Sequence, residues 1–278
     1  MNTPDVLPLF PQPGPAEPLH GLYLRDHLLD LGTTERPFVY SNYVVSLDGR
    51  IAIEHPDTGH YGPPKAITNA RDWRLFQELA AQADVIVVSG RYLRELRAGT
   101  AQASLPVSTS PGFEDLVPWR RQHGLTDQPA IAVISGSLDI PFAEVFAHSD
   151  RTGIVVTGEA ADPIRVAQIE DAGGTVLKTN PGTRVEGKAL IDALGQAGHR
   201  RIYVVAGPVV LDTILRAAQL DRLYLTHAHR LLGGTKVDTL LEGDPLAHAP
   251  ALALSRLWYD PPSPVSPGQL FACYERQS

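Results

Sequence analysis

The sequence predicts an α/β fold in which a mixed, mostly parallel central sheet is flanked by helices and completed by an antiparallel C-terminal hairpin. From residue 37 onward, short runs rich in Val and Ile alternate with amphipathic segments of about 10 to 15 residues, which is typical of this class. The runs are continuously apolar, as in parallel strands that are covered on both faces. The proline-rich segment PPSPVSP joins the last two runs in place of a helix, so these runs are expected to pair antiparallel at one sheet edge.

The apolar runs define the predicted strands, at residues 38–46, 84–90, 130–136, 153–158, 175–179, 201–207, 221–230, 251–260 and 269–275. Helices are predicted at about 69–83, 91–97, 162–172, 187–197 and 208–218, with a brief one near 114–123. In the first helix, Thr68 or Asn69 is the expected cap, and the apolar positions at helical spacing are Trp73, Phe76, Leu79 and Ala80. Residues 99–128 interrupt the rhythm with a long polar loop, which is either a lid or a surface insertion.

The N-terminus has six prolines in its first 18 residues, which favour an extended segment that lies on the surface or is disordered. A short helix is expected over residues 19–32, with Gly32 at its end and an apolar side formed by Leu22, Leu28, Leu29 and Leu31. We therefore divide the chain into a proline-rich tail with a short helix, residues 1–36, and one domain, residues 37–278. The start of the chain lacks the pattern of a signal peptide or membrane anchor.

Charge and cysteine content exclude several classes of partner. The net charge of −7 and the pI near 5.8 disfavour nucleic acid and anionic membranes, which require clustered Lys and Arg. Cys273 is the only cysteine, so an intramolecular disulfide and a cysteine-based structural zinc site are excluded, and a cytoplasmic location is expected.

Strand ends that are followed by glycine and a helix mark the candidate ligand site, because exposed amides and the helix dipole meet there. Gly90 permits a tight turn, and Arg91 is placed to hold a phosphate, although it is equally well read as a surface arginine. Thr157 and Gly158 end another strand in the same way. Each of these signals is weak on its own.

A third strand ends in the segment VVAGPVVLDTILRAA. Gly207 permits close approach of a ligand, and Pro208 presets the first helical turn, which leaves the next amides pointing beyond the strand. Dinucleotide and P-loop fingerprints and the G-x-S-x-G elbow are absent from the sequence, which disfavours an ordinary Rossmann oxidoreductase, a P-loop NTPase and an α/β hydrolase. His227 and His229 would share one face of a strand, but no further ligand motif accompanies them, so no metal is predicted.

Three stretches, taken together and in order, resemble a known family. These are VSLDGRIA after a strand, LAAQADVIVVSGR, and VVAGPVVLDTILRAAQLDRLYLTHAHRLLGG. They resemble the pyrimidine reductases of riboflavin biosynthesis, the RibD C-terminal domain family, over residues 38 to about 275. The resemblance implies a dihydrofolate-reductase-like fold, a homodimer, and hydride transfer from NADPH to a small heterocycle or a ring-opened ribosylamino-pyrimidine.

The resemblance also implies roles for individual residues. The nicotinamide is expected near Val45 and Ser46, the adenosine phosphate at Arg91, and adenosine-side contacts at Ser135 and Thr157. The strand would then stop at Ser46 to make room for cofactor and substrate. The diphosphate is expected on the turn formed by Gly207, Pro208, Val209 and Val210.

The role of Asp48 is left open between two alternatives. Asp48 either orders the turn through backbone amides or contacts the substrate, where it and water are the candidate proton donors.

Two substrate-binding positions depart from the family, and the threonine and the D-P-x-L-x-x-R segment expected after Gly90 are also unmatched. An arginine that binds the substrate phosphate is replaced by Ala80, and an acidic residue that would read the pyrimidine edge is replaced by Val205. Either other residues, such as Lys65, Arg71 or Arg74, hold the usual precursor, or the substrate differs. A catalytically degenerate member that binds a nucleotide as a sensor or partner subunit is the alternative function, and a metal hydrolase that uses His227 and His229 is a third.

Overall fold

The structure, a computed structural model, describes residues 5–57, 59, 61–99, 107–147, 149–247, 249–264 and 266–277. The strands are β1 (Leu7–Phe10), β2 (Phe38–Ser46), β3 (Arg50–Glu54), β4 (Tyr61–Gly62), β5 (Val85–Ser89), β6 (Ala130–Ile134), β7 (Gly153–Thr157), β8 (Thr175–Lys178), β9 (Arg201–Val204), β10 (Arg222–Ala228), β11 (Val237–Thr239), β12 (Leu252–Asp260) and β13 (Gln269–Arg276). The helices are α1 (Ala70–Ala81), α2 (Gly90–Arg97), α3 (Leu116–Gln122), α4 (Phe142–Phe146), α5 (Pro163–Asp171), α6 (Gly187–Gln196) and α7 (Pro208–Arg216). Every predicted strand and helix from residue 37 onward is present, with small differences at the ends.

Ten strands form one sheet in the order β1-β12-β13-β10-β2-β9-β5-β6-β7-β8. The strands from β10 to β8 are parallel. In contrast, β13 pairs antiparallel with β10, β12 with β13, and β1 with β12. The predicted α/β class and the antiparallel C-terminal hairpin are therefore confirmed, although β1 covers the outer side of the hairpin.

The two faces of the sheet carry different helices. Helices α1 to α5 pack on one face, where each contributes a buried apolar side chain: Leu79, Leu93, Leu116, Phe142 and Val166. Helices α6 and α7 pack on the opposite face through Leu190 and Leu211. Because both faces are covered, the central strands are apolar on both sides, which explains their continuous Val and Ile runs.

The N-terminal segment packs into the same core as the rest of the chain. Val6, Leu22 and Leu28 are buried with the α1 face, and most of the described residues before 19 lie on the surface as expected. The predicted helix over residues 19–32 is not formed. Two 3-10 turns, Leu24–Asp26 and Leu28–Asp30, take its place, because His27 between them adopts a left-handed conformation (φ 50°) that interrupts a helix.

A second, three-stranded sheet, in the order β11-β3-β4, follows the Ser46–Gly49 turn at the end of β2. It was not predicted, because its strands are short and β3 directly follows a turn signal. This small sheet lies beside the carboxyl end of β2 and forms part of the site described below.

The long polar loop lies partly within the described residues, whereas residues 100–106 of it lie outside them. Within the described part, Arg120 of α3 donates from Nη1 to the carbonyl oxygens of Ala81 and Ala83, at 2.9 and 2.8 Å. These carbonyls precede the amino end of β5. The described part of this segment therefore packs near the amino ends of the strands, away from their carboxyl ends, as a surface insertion would.

Candidate functional site

The topology creates a crevice at the carboxyl ends of β5 and β9. The two strands are parallel neighbours, but the chain leaves β5 into α2 on one face and leaves β9 into α7 on the other. Connections that diverge in this way open a gap between the strand ends, which is where open α/β sheets bind ligands. The site residues predicted on α2 and α7 lie at the two sides of this gap, and β2 is the other neighbour of β9.

The α7 side of the crevice is an open backbone turn. Gly207 is the residue before the helix (φ −64°, ψ 178°), and a Cβ placed on it meets nothing within 4 Å. Val209 is 59% exposed although it is apolar, and Pro208 has no amide hydrogen to satisfy. The hydroxyl of Tyr43 donates to the carbonyl oxygen of Ala206 at 2.7 Å and fixes the turn to β2. This arrangement can receive an anionic group at the start of a helix.

The α2 side contains Gly90 and Arg91. A Cβ on Gly90 would lie 2.9 Å from Ile140 Cγ2 and 3.3 Å from the Ser135 hydroxyl, so this glycine allows close packing between neighbouring turns. The Arg91 side chain is 52% exposed, its Nε donates to Glu95 Oε1 at 2.6 Å, and its guanidinium lies 5.8 Å from the centre of the Tyr61 ring. Arg91 thus links α2 to the small sheet and presents a cation at the mouth of the crevice.

The turn after β2 is ordered by the side chain of Asp48. Asp48 Oδ1 accepts hydrogen bonds from the Ser46 hydroxyl (2.5 Å) and the Leu232 amide (3.2 Å), and Oδ2 accepts one from the Gly233 amide (2.7 Å). The Ser46 hydroxyl, followed by the Gly233 amide, lowers the pKa of Asp48 to about 2. A carboxyl with this pKa is ionised at neutral pH and is a poor proton donor. The geometry supports the turn-ordering alternative, and a catalytic role of Asp48 stays a prediction.

Val45 lies against the small sheet. It is buried with Ile51 and Ala52 of β3, and Tyr61 and Leu240 pack against the same cluster. Ser46 is buried as well, and its hydroxyl accepts the amide of Arg50 at 2.9 Å. The end of β2 and the small sheet therefore pack against each other, and the role of Val45 and Ser46 at the nicotinamide stays a prediction.

Ser135, Thr157 and Gly158 lie further along the sheet, where the segment 179–183 covers the strand ends. Thr157 has no exposed surface, and a Cβ on Gly158 would lie 2.1 Å from the carbonyl oxygen of Gly182. The amides of Glu159 and Ala160 donate to residues 180 and 182 at 2.9 Å each, and the Ser135 hydroxyl accepts the Leu138 amide at 3.1 Å. The expectation of open amides after β7 is wrong, because these groups are used within the fold.

A buried carboxyl that the sequence analysis missed lies on the α1 face near the end of β10. Asp72 is 8% exposed, its Oδ1 has no hydrogen-bond partner among the described residues, and Thr226 of β10 hydrogen-bonds the group. Burial raises the pKa of the Asp72 carboxyl to about 6, and Thr226 lowers it only in part. An acidic residue in the first turn of a helix is ordinarily a dipole partner in solvent, so the sequence carried no signal of this burial.

The residues considered as replacements for the missing phosphate clamp differ in their surroundings. Arg74 is paired with Glu78 and Asp115, away from the crevice. Arg71 is buried at the strand carboxyl ends, where Nε donates to Asp260 at 2.7 Å and Nη1 has no hydrogen-bond partner among the described residues. Lys65 is exposed. Of these three, Arg71 is the buried cation with an unused donor.

His227 and His229 lie on the side of β10 that faces away from α1. Burial lowers the pKa of His227, and the charge of the nearby His229 lowers it further. The ring centres of His229 and Tyr259 lie 6.1 Å apart in a stacked arrangement. Within the described part of the chain, no cluster of three or more His, Cys, Asp or Glu side chains is arranged to hold a metal ion. The described helices also include none with the length and apolar character needed to cross a membrane.

Comparisons with known proteins agree with this architecture. The model of the RibD C-terminal domain family matches residues 37–262. The chain is 23% identical over 209 residues to the 2,5-diamino-6-ribosylamino-4(3H)-pyrimidinone 5′-phosphate reductase of Archaeoglobus fulgidus. The aligned region covers 75% of this chain and 88% of that protein. The chain is also 25% identical over 226 residues to the protein of the same name from Methanothermobacter thermautotrophicus, which covers 80% and 92%.

Among solved structures, a pyrimidine reductase-like protein from Corynebacterium diphtheriae shares the fold. It has a TM-score of 0.65 at 20% identity and covers 87% of this chain and 92% of that chain. The family model spans β2 through β12, which includes the crevice and both helical faces. This chain belongs to the RibD C-terminal domain family, as its motifs predicted.

Proposed function

We propose that the protein is an NADPH-dependent reductase that acts on a phosphorylated ribosylaminopyrimidine in riboflavin biosynthesis. The observation that carries this proposal is the open Gly207 turn, which lies across the β5–β9 crevice from Arg91. The prediction of a reductase is also confirmed by the names of the relatives, which are pyrimidinone phosphate reductases.

The residues around the crevice fit a dinucleotide phosphate. The turn at Gly207 and Val209 offers backbone without obstruction at a helix start, where a diphosphate is stabilised by the helix dipole. Arg91 has the charge to bind the adenosine phosphate that distinguishes NADPH from NADH. Val45 and Ser46, at the end of β2, would line the nicotinamide. Ser135 remains an expected contact only through its position directly after β6, and Thr157 and Gly158 are left out of the proposed site.

NADPH, when bound, supplies a hydride. In the ring-opened substrate this hydride would reduce the sugar carbon of the C=N bond, and the nitrogen would take up one proton, which balances the reduction. The protein holds the two reactants in register, since hydride transfer depends mainly on orientation. Asp48 contributes by holding the Ser46–Gly49 turn in place through Gly233.

Two further features are expected, a homodimer from the family resemblance and a cytoplasmic location from the single cysteine. Light scattering of the purified protein would test the first of these, and fractionation of cells would test the second.

Turnover tests the proposed function. The purified protein should oxidise NADPH only when 2,5-diamino-6-ribosylamino-4(3H)-pyrimidinone 5′-phosphate or its uracil analogue is added, and the product should be heavier by two hydrogen atoms. Absorbance and mass spectrometry measure the two. Binding of NADPH without oxidation in the presence of either substrate would favour the nucleotide-binding alternative and reject the reductase.

A further inference from the structure

The side chain of Tyr61 connects the small sheet to the cation on α2. Tyr61 belongs to β4, and it packs against the apolar cluster formed by Val45, Ile51 and Ala52. The guanidinium carbon of Arg91 lies 5.8 Å from the centre of the Tyr61 ring. This distance is within the range of a cation–π contact. The small sheet therefore supplies an aromatic ring, held by its own core, to a charged side chain of another element.

The guanidinium of Arg91 is anchored at one nitrogen only. Its Nε donates to Glu95 Oε1 at 2.6 Å, one turn further along α2. Its Nη1 and Nη2 have no hydrogen-bond partner among the described residues. The two terminal nitrogens of an arginine are suited to bind a phosphate in a bidentate arrangement. The part of Arg91 that suits a phosphate is therefore unused, while the ring and Glu95 hold the rest of the group.

Carboxyl groups of the segment after β11 compete for the same cation. Partial burial raises the pKa of Glu242, the charge and hydrogen bond of Asp238 raise it further, and the charge of Arg91 lowers it. Arg91 therefore interacts with carboxyl groups from two directions, Glu95 on α2 and Glu242 beside the small sheet. A long side chain without further contacts would turn its terminal nitrogens toward these carboxylates. Contact with the face of the Tyr61 ring restricts the guanidinium plane and opposes this turn.

We propose that Tyr61 is a positioning residue that sets the preference for NADPH over NADH, by holding the Arg91 guanidinium for the phosphate on the adenosine ribose. The inference rests on the proposed function and adds to it a residue that carried no signal in the sequence. Ordering a long side chain before the ligand arrives removes part of the entropic cost of binding. NADH lacks this phosphate, so its affinity is independent of Tyr61.

Calorimetric titrations of NADPH and NADH into the intact protein test the role of Tyr61. In Tyr61→Leu, the ratio of NADPH to NADH affinity should fall about two- to fivefold, the effect of one exposed cation–π contact. NADH affinity should stay at the wild-type level, which also shows that the variant is folded. Tyr61→Phe keeps the ring and should keep the wild-type ratio.

Tyr274→Leu is the matched control for the loss of a tyrosine. Tyr274 is also partly buried, but it pairs with Leu223 at the amino end of β10, away from the crevice. Its ratio of affinities should equal that of the wild type. A fall in this control as large as in Tyr61→Leu would overturn the specific role of Tyr61.

A double variant shows whether Tyr61 acts through Arg91. In the Arg91→Ala protein, the additional change Tyr61→Leu should leave the ratio of affinities unchanged, since the guanidinium that the ring holds is absent. A further fall of the ratio in that background would show that the ring contacts the cofactor directly, and it would overturn the positioning role.

The outcomes separate this inference from the proposed function. If Arg91→Ala loses the preference for NADPH but Tyr61→Leu keeps it, or if Tyr61→Phe loses it, the role of Tyr61 is overturned and the Arg91 site stands. Equal affinity of the wild type for the two cofactors would overturn the roles of both residues. If the wild type binds neither dinucleotide, the proposed function itself fails.

Discussion

The carboxylate of Asp48 accepts the amide of Gly233 at 2.7 Å, across 185 positions of the chain. This contact joins the turn after β2 to the loop after β10, and the amide of Leu47 adds a second link to the carbonyl oxygen of Arg230 at 2.8 Å. The two parallel strands are neighbours, so their following loops are tied together at the carboxyl end of the sheet. Asp48 is therefore a positioning residue for the strand ends in this structure.

Replacing Asp48 by Ala is expected to change the acid stability of the protein. The pKa of Asp48 is lowered to about 2 in the folded state, below its ordinary value of 3.8. Its contribution to stability is therefore present above about pH 4 and is lost as the pH falls toward 2. Urea unfolding between pH 2 and pH 7 measures this. The wild type should lose more stability across this window than Asp48→Ala, and equal pH dependence of the two would contradict the hydrogen bonds described above.

Gly207→Ala and Gly158→Ala are expected to have opposite effects. A methyl group at Gly207 meets open space, so the free energy of unfolding should stay within about 1 kcal/mol of the wild type. The same methyl group would obstruct a phosphate on the backbone and should weaken NADPH binding about tenfold. Gly158→Ala would clash with Gly182, and overpacking of this kind costs about 1 to 3 kcal/mol of stability. Thermal unfolding and NADPH titration of both variants provide the comparison. Unchanged NADPH affinity in Gly207→Ala would place the diphosphate elsewhere.

Arg91→Ala is expected to remove the preference for NADPH over NADH. The loss of one charge-assisted hydrogen bond at a half-exposed position should weaken NADPH binding about tenfold and leave NADH binding nearly unchanged. Arg97→Ala is the matched control, since Arg97 lies on the same helix, is exposed and pairs with Glu144. Calorimetric titration with both cofactors gives the four affinities. If Arg91→Ala and Arg97→Ala behave alike, Arg91 is an ordinary surface residue.

Asp72→Asn is expected to stabilise the protein at neutral pH. Burial raises the pKa of Asp72 from 3.8 to about 6, which corresponds to at most about 3 kcal/mol of unfavourable free energy once the group is ionised in both states. A group with a raised pKa favours the fold below about pH 4 and ceases to do so as the pH rises through 6. Tyr23 and Tyr203 face Asp72 from neighbouring elements, and because burial raises the pKa of both, neither ionises in this range.

Chemical denaturation at pH 5 and pH 8 measures this effect. The gain in Asp72→Asn should be about 1 to 3 kcal/mol at pH 8 and smaller at pH 5. A variant that is less stable than the wild type at pH 8 would show that the Asp72 carboxylate is stabilised by its surroundings, contrary to the burial and unfilled oxygen found here.

The sequence predicted the main sheet because its strands are buried on both faces and therefore stand out as apolar runs. It did not predict β1, since a proline-rich segment is unfavourable in a sheet except at an edge, where β1 lies. The small sheet was missed because β4 has two residues and β11 has three. The helix predicted over residues 19–32 was replaced by two 3-10 turns on either side of His27. His27 is a non-glycine residue with a left-handed backbone, which no sequence pattern indicated.

The local geometry of the candidate site was predicted in part. The turns at Gly207 and at Ser46 were found because glycine and strand interruption are local signals. The covering of Thr157 and Gly158 was not foreseeable, since it depends on the segment 179–183 folding back over the strand ends. Asp72 was missed because α1 is buried nearly all round, under the N-terminal segment, where Glu78 accepts the amides of Gly21 and Tyr23 at 2.6 and 2.9 Å. From the sequence alone, a charged residue on such a helix is expected to face solvent.

Calorimetric titration of NADPH and NADP⁺ into the wild-type protein tests the central claim most directly. The account predicts saturable uptake of one dinucleotide per chain, weakened in Gly207→Ala and unaffected in Asp171→Asn. Absence of heat with either redox form, or uptake that Gly207→Ala leaves unchanged, would contradict the placement of the cofactor between β5 and β9.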